Sequence, residues 1–489
     1  MKKNDIFRIE IDDIGNDGEG IGHIEDTENG RRLAVFVKDA VPGDVADVRI
    51  IKDKKNYAYG RLEQLIIPSK DRVEPRCKNA RACGGCSLQH YSYEAQLIYK
   101  QNKVAGCLER IGGIENPLSY MEPITGMFTE EEKEELEKKT ELASLIRANV
   151  CENGHWNYRN KAQFPVGYDK EGKLVAGFYA GRTHSIIPCT GCDIQAESCE
   201  PILNAVLDYM EDNSIEAYNE ETHSGLVRHI LIRVGFTTGQ IMVCLVINGD
   251  KLKCSERLVE KLAAIENMTS ISININKEKT NRILGNSCKT LWGKDFIEDY
   301  IGNVKYQISP MSFYQVNPVQ TAKLYAKALE YANLSGKETV WDLYCGIGTI
   351  SLFLAEKALK VFGVEIVPQA IDDARNNASI NGIDNASFFV GKAEEVLPQE
   401  YKMHGIYADV IVVDPPRKGC DEKLLETVVT MSPKRFVYVS CDPATLARDL
   451  KYMLAHGYKL EKIACYDQFC HGGHVETVVL MSKVNTIKG

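Results

Sequence analysis

The sequence contains no run of about 18 or more residues that is both apolar and uncharged, and this excludes a membrane-spanning helix. Its opening, MKKNDIFRIEIDDIG, has two lysines but then alternates polar and apolar residues. The continuous apolar segment of an export signal is missing, so a cytoplasmic location is expected. Basic charge is not in excess either: 59 Lys and Arg against 68 Asp and Glu leave a net charge of −9. Binding to nucleic acid through bulk electrostatics alone is thereby excluded, whereas a local basic footprint is not. Internal repeats and low-complexity tracts are absent. What is present is 489 residues, 44% hydrophobic and 26% charged, enough for about three domains with a core each. The 16 cysteines, in a chain without an export signal, are expected to be mostly reduced and free to act as ligands or nucleophiles.

Three regions differ in pattern. From Ile6 to Glu63 the short segments FRIEI, RRLAVFV, DVADVRI and YAYGRLEQL alternate between NDGEG, DTENG and VPGD turns, which predicts a small antiparallel barrel over residues 1–66. Residues 67–310 are mixed, with a helix near Tyr93–Arg110 and strands in GLVRHILIRVG and QIMVCLVIN, and an α+β domain is expected there. Basic charge collects in this region, with eight Lys/Arg against four Asp/Glu from Lys70 to Arg110 and five against two from Trp156 to Cys192. An acidic insertion near 126–145 contains EEEKEELEKKTE, seven glutamates and three lysines from Glu130 to Glu141, and reads as a solvated helix. Over residues 311–489 the strands TVWDL, KVFGVEI, ADVIVVD and RFVYVS alternate with helices at Val367–Ile380 and Pro443–Ala455, the pattern of a parallel α/β sheet of Rossmann-like type.

The chemistry-bearing residues gather at the carboxyl ends of those strands, where open α/β sheets bind ligands. TVWDLYCGIGT runs from a strand through Gly346 and Gly348, which allow close backbone approach, into a helix. Glu365 stands 23 residues after Asp342, suited to ribose hydroxyls, so a nucleoside ligand is expected. The turn resembles that of S-adenosylmethionine-dependent methyltransferases. ADVIVVD ends in DPPRKG, which brings Asp414 to the same edge. RFVYVSCDPATLARDL ends with Cys441, then Asp442 as helix N-cap and Pro443 at the first helical position. A thiol beside a helix N-terminus is expected to have its pKa lowered from about 8.5. HGGHVETVVLM places Glu476 at the start of the last strand.

Methylation of carbon 5 of a uracil needs such a set together. That carbon is a weak nucleophile until a thiolate adds to carbon 6 and creates an enolate, and a carboxylate must then remove the carbon 5 proton. YQVN, DLYCGIGT, DPPRKG, SCDPATLARD and HGGHVETV are, as a set, similar to the RNA uracil-5-methyltransferase family over about the last 180 residues. The resemblance implies Cys441 as nucleophile, Glu476 as base, and Gln315, Tyr344, Glu365 and Asp414 as contacts to S-adenosylmethionine. Cys345 is a rival thiol but precedes the cofactor turn, and Thr349 stands where the family often differs and is not assigned.

Cys77, Cys83 and Cys86, spaced x5 and x2, suit a soft metal, an iron–sulfur cluster or a structural zinc. The arrangement resembles the 4Fe-4S site of the rRNA branch of that family, which implies Cys192 as fourth ligand with Cys189 as competitor. The GEGIG turn and AVPGD segment of the first region resemble a TRAM domain, an OB-like RNA-binding barrel, although 11 Lys/Arg against 13 Asp/Glu from Met1 to Leu62 leave it slightly acidic. Cys465, Cys470, His471 and His474 match no common metal spacing and are read as structural or substrate-lining. The expected protein is thus a monomeric enzyme using S-adenosylmethionine and a 4Fe-4S cluster on RNA. Its substrate is expected to be 23S rRNA, with tRNA as the alternative, and a non-catalytic ribosome-assembly factor is the competing class.

Overall fold

The computed structural model describes residues 2–26, 31–128, 132, 154–181 and 183–484. The chain divides into two compact units, residues 1–104 with 469–475, and residues 105–468 with 476–489. None of the described helices is long and apolar enough to cross a membrane.

In the first unit, β1 (Ile6–Ile14), β2 (Gly20–Asp26), β3 (Arg31–Lys38), β4 (Val45–Asp53) and β5 (Tyr57–Ile67) close a barrel in the order β1-β2-β3-β5-β4. Strict alternation along β4 turns Ala46, Val48 and Ile50 inward onto Ile9, Ile11, Val35, Val37 and Ala58. Each of the Val and Ile side chains contributes about 1.5–3 kcal/mol by leaving water. Gly60 is required by this packing, because a Cβ there would lie 2.2 Å from Val48. Two details depart from the sequence pattern. The turn-like GIGHIED is a full strand, β2, and β3 pairs with β5 in parallel, so the barrel is not wholly antiparallel. Beyond it, α1 (Ala80–Cys83) follows Cys77, and α2 (Tyr93–Arg110) has the bounds its sequence predicts. Residues 469–475 are tied into this unit: Leu88 N–H donates to the His471 carbonyl, His471 N–H to Gln96 Oε1 at 3.1 Å, and Lys100 Nζ to the Phe469 carbonyl at 2.9 Å.

The second unit carries two seven-stranded sheets. The first is built from β6 (Lys161–Tyr168), β7 (Leu174–Tyr179), β8 (Ile186–Pro188), β9 (Val227–Val234), β10 (Ile241–Ile247), β11 (Met268–Ile275) and β12 (Ser287–Gly293), in the order β12-β11-β10-β9-β6-β7-β8. Helices α3 (Cys199–Asp212) and α4 (Ser255–Ala263) accompany it. A hairpin of β13 (Ile297–Ile301) and β14 (Val304–Ile308) then packs Ile297, Tyr306 and Ile308 into the same core as α5 (Pro318–Ala332) and the second sheet.

That second sheet has the order β17-β16-β15-β18-β19-β21-β20, where β15 is Thr339–Leu343, β16 Lys360–Glu365, β17 Ala386–Val390, β18 Val410–Val413, β19 Arg435–Ser440, β20 Tyr458–Tyr466 and β21 Glu476–Lys483. Helices α6 (Thr349–Ala355), α7 (Pro368–Ile380), α8 (Ala393–His404), α9 (Glu422–Met431) and α10 (Pro443–Ala455) connect the strands. The first five strands are parallel, and the inner strands β15, β18 and β19 are buried beyond at most their first residue, as cover on both faces requires. The expectation of a parallel sheet needs correction at one edge. β21 inserts antiparallel between β19 and β20, and it carries Glu476 back to the carboxyl edge of β19. Of the acidic insertion only residues 126–128 and Glu132 are among the described residues, and Glu132 pairs with Lys323 at 2.8 Å.

Candidate active site

Four parallel strands end at one edge, and each delivers a polar group there. After β15 the chain turns sharply, with Tyr344 at φ +68°, Gly346 at +55° and Gly348 at +83°. A non-glycine residue such as Tyr344 in this left-handed region is strained, and such strain concentrates at ligand-binding turns. Nothing lies within 4 Å of the position a Cβ would take at Gly346, so the turn presents bare backbone to open space. Glu365, at the end of β16, clamps the turn by accepting from Gly346 N–H at 3.3 Å and from Val367 N–H at 3.0 Å. Beneath it, Asp342 is buried and accepts from Ser351 Oγ at 2.5 Å, and burial pushes its carboxyl up to about 7.

At the end of β18, Asp414 N–H reaches the Leu343 carbonyl at 3.4 Å, and Pro415 and Pro416 then carry no N–H to compete with a ligand. Burial pushes the Asp414 carboxyl up to about 7. At the end of β19, Asp442 caps α10 as expected, its Oδ1 accepting from Ala444 and Thr445 N–H at 3.0 Å. The antiparallel register pairs Ser440 with Thr477. Continued by one residue, it sets half-buried Cys441 opposite Glu476, which is 3% exposed.

This juxtaposition reverses one expectation. The helix N-terminus was expected to lower the Cys441 pKa, yet burial together with the Glu476 and Asp414 carboxylates pushes the thiol up to about 12. Glu476 is itself raised to about 8, by burial first and by Asp414 second, while Arg417 acts in the opposite sense. A half-unit charge at a helix end is outweighed by two nearby carboxylates in a poorly hydrated site. Arg417, from the same DPPRKG segment as Asp414, brings a positive charge to bear on both groups and was not singled out in the sequence.

Gln315 is 7% exposed, and its carbonyl accepts from Asn160 Nδ2 at 2.9 Å. Two residues on, Asn317 caps α5 by accepting from Gln320 N–H at 3.2 Å. Thr349, unassigned from the sequence, is held by the hydroxyls of Tyr325 at 3.1 Å and Tyr306 at 2.9 Å. Cys345 is buried, and burial with Asp342 and Glu365 raises its thiol well above the ordinary value.

The bare turn, the Glu365 carboxylate and the open space beside Gly346 fit a nucleoside cofactor such as S-adenosylmethionine. The cysteines fit a cluster less well. Cys77, Cys83 and Cys86 are half-buried around α1 in the first unit, while half-buried Cys192 and buried Cys189 belong to the second. Among the described residues, no three His, Cys, Asp or Glu are gathered as a group that could hold a metal ion. The donor types suit iron and sulfide. Of the Cys465-to-His474 constellation, Cys465 is buried in β20 of the second unit, and His471 is held by Gln96 in the first.

Comparison with known proteins places the chain among relatives. Residues 128–484 match the family described as tRNA (Uracil-5-)-methyltransferase, and residues 2–62 match the TRAM domain. The chain is 47% identical over 483 residues to an uncharacterised RNA methyltransferase of Clostridium tetani, covering 99% of this chain and 97% of the relative. It is 45% identical over 486 residues to one of Halalkalibacterium halodurans, covering 99% and 98%. Among solved structures it resembles the Pyrococcus abyssi tRNA (uracil-54, C5)-methyltransferase in complex with S-adenosyl-L-homocysteine, with a TM-score of 0.72 and 26% identity over 97% of this chain and 99% of that one. The chain therefore belongs to the tRNA (Uracil-5-)-methyltransferase family and is an S-adenosylmethionine-dependent RNA uracil-5-methyltransferase with an N-terminal TRAM barrel.

Proposed function

We propose that the protein methylates carbon 5 of a uridine in 23S rRNA through a covalent adduct on Cys441. The observation that carries this reading is the placement of Cys441 opposite buried Glu476. Glu365, Gln315, Tyr344 and Asp414, with the Gly346 turn, would hold S-adenosylmethionine, which would supply a sulfonium methyl group. The Cys441 thiol gives up its proton, for which the Asp414 carboxylate is the acceptor at hand, and sulfur bonds to carbon 6 of the uracil. The displaced π pair makes carbon 5 nucleophilic. Carbon 5 takes the methyl group as its bond to the sulfonium sulfur breaks. Glu476 then removes the carbon 5 proton, the double bond re-forms, and the Cys441 thiolate leaves. Raised basicity serves Glu476 here, since a carboxylate near pKa 8 is a far stronger base than an exposed one.

The choice of 23S rRNA rests on the resemblance of the barrel and the cysteine set to the rRNA branch. The Pyrococcus abyssi relative is a tRNA (uracil-54, C5)-methyltransferase, which favours tRNA as the second reading. A stacked uracil hides its ring face, so the base must be turned out of its helix into the site. On donor chemistry alone, Cys77, Cys83, Cys86 and Cys192 are assigned to a 4Fe-4S cluster, and no catalytic step runs through it. Mapping 5-methyluridine in 23S rRNA and tRNA from a deletion strain tests the substrate. Loss of a site in 23S rRNA alone supports this reading, and loss confined to tRNA overturns it.

A further inference from the structure

The first sheet of the second unit holds an unneutralised knot of positive charge. Lys161 on β6 is paired across the ladder with Arg233 on β9, so both side chains rise from one face, and Arg159, two residues earlier, extends the row. Arg233 is 2% exposed and donates through Nη2 to the Ser312 carbonyl, a neutral partner. The Nε atoms of both Arg159 and Arg233 are buried with no hydrogen-bond partner, as is the hydroxyl of Tyr314 beside them. Among the described residues, no carboxylate forms an ion pair with any of the three cations. Burial, then Arg233 and Arg159, pushes the Lys161 ammonium down to about 7, and burial brings Arg233 down to about 10. A fold keeps buried cations without counter-ions at a cost in stability, and a ligand that supplies the missing charge offsets it.

The position of the knot indicates which ligand. Asn160, between Arg159 and Lys161, donates N–H to the Val316 carbonyl and Nδ2 to the Gln315 carbonyl, each at 2.9 Å. The chain there leads into α5, whose Tyr325 is raised by burial and by the charges of Asp414 and Glu476. The knot is thus joined through one short segment to the catalytic carboxylates. Converging guanidinium and ammonium donors match the tetrahedral oxygens of a phosphodiester, the anion every RNA carries beside its bases.

We propose that Arg159, Lys161 and Arg233 form a pre-built anion site that takes a backbone phosphate of the RNA flanking the target uridine. The inference rests on the RNA-methyltransferase reading and names the contact that registers the strand. It is tested by binding of an unmodified 23S rRNA transcript, and in parallel an unmodified tRNA transcript, to the full-length protein and to Lys161→Met and Lys161→Arg. With whichever transcript the wild type binds, Lys161→Met should weaken binding about tenfold at moderate salt. The slope of log affinity against log salt should flatten by about one. S-adenosyl-L-homocysteine affinity should not change, and Lys161→Arg should restore RNA binding. The melting temperature of Lys161→Met should hold or rise, because an unpaired ammonium is removed, whereas a merely structural lysine would give a fall. Unchanged RNA affinity and salt slope would overturn the proposal. So would a matching loss of S-adenosyl-L-homocysteine affinity, which would give the anion site to the cofactor carboxylate. Since affinity and not turnover is read, lost methyl transfer with intact binding counts against the catalytic reading alone.

Discussion

Cys441 and Glu476 stand opposite each other where β19 and β21 run out of register partners, and the Glu476 carboxylate makes the thiol harder to ionise. The thiol is raised to about 12 and the carboxyl to about 8, so near neutral pH both groups hold their protons. Activity should therefore rise with pH. In initial-rate measurements, kcat/KM should climb from pH 6.5 to pH 9 as Glu476 becomes available as base; a flat profile would count against its role.

The same carboxyl makes stability pH-dependent. Its folded pKa of about 8 lies above the ordinary 4.5, so the folded state binds the proton more tightly than the unfolded chain. The stability this represents is fully present below about 4.5 and is lost as pH rises through about 8. Glu476→Gln removes the titration. Its melting temperature relative to wild type should be higher at pH 9 than at pH 5, and a difference that does not change with pH would contradict the burial.

Glu365→Ala should weaken cofactor binding by about 1–3 kcal/mol, the usual cost of losing a charged hydrogen-bond partner. RNA binding should persist. Calorimetry that finds unchanged S-adenosylmethionine affinity would remove Glu365 from the site.

Gly348→Ala tests the turn itself. At φ +83° an L side chain costs about 1–2 kcal/mol, and its Cβ would also press on Ala374 at 3.2 Å and Phe388 at 3.3 Å. Denaturant unfolding should show the loss, with cofactor affinity falling alongside it.

If the cluster is present, anaerobically purified protein should contain iron and acid-labile sulfide, and Cys192→Ser should lose both while Cys189→Ser keeps them. Zinc without sulfide would remove the cluster from the account, and the opposite result for the two serine variants would move the fourth ligand to Cys189.

Local patterns were readable wherever burial is one-sided or complete. The apolar runs of β15, β18 and β19 and the Asp442–Pro443 start of α10 stand in the chain as they do in the sequence. Pairing was not readable, because hydrogen-bond partners are set by tertiary closure: β2 hid behind three glycines in GEGIG, and β3 meets β5 in parallel. The ionisation of Cys441 was misread for a related reason. Asp414 and Glu476, 27 residues before it and 35 after, approach it only once β18, β19 and β21 lie side by side. The charge knot around Lys161 was equally silent in sequence, since its Arg233 partner comes from another strand.

The central claim is that Cys441 bonds to the base before methyl transfer and that Glu476 acts after it. Denaturing gels of each variant, incubated with labelled RNA and S-adenosylmethionine, test that order directly. Glu476→Gln should accumulate a slow-migrating, methylated protein–RNA species, because the adduct forms but cannot lose its carbon 5 proton, whereas Cys441→Ala should show none. An adduct on Cys441→Ala, or ordinary turnover by Glu476→Gln, would contradict the account.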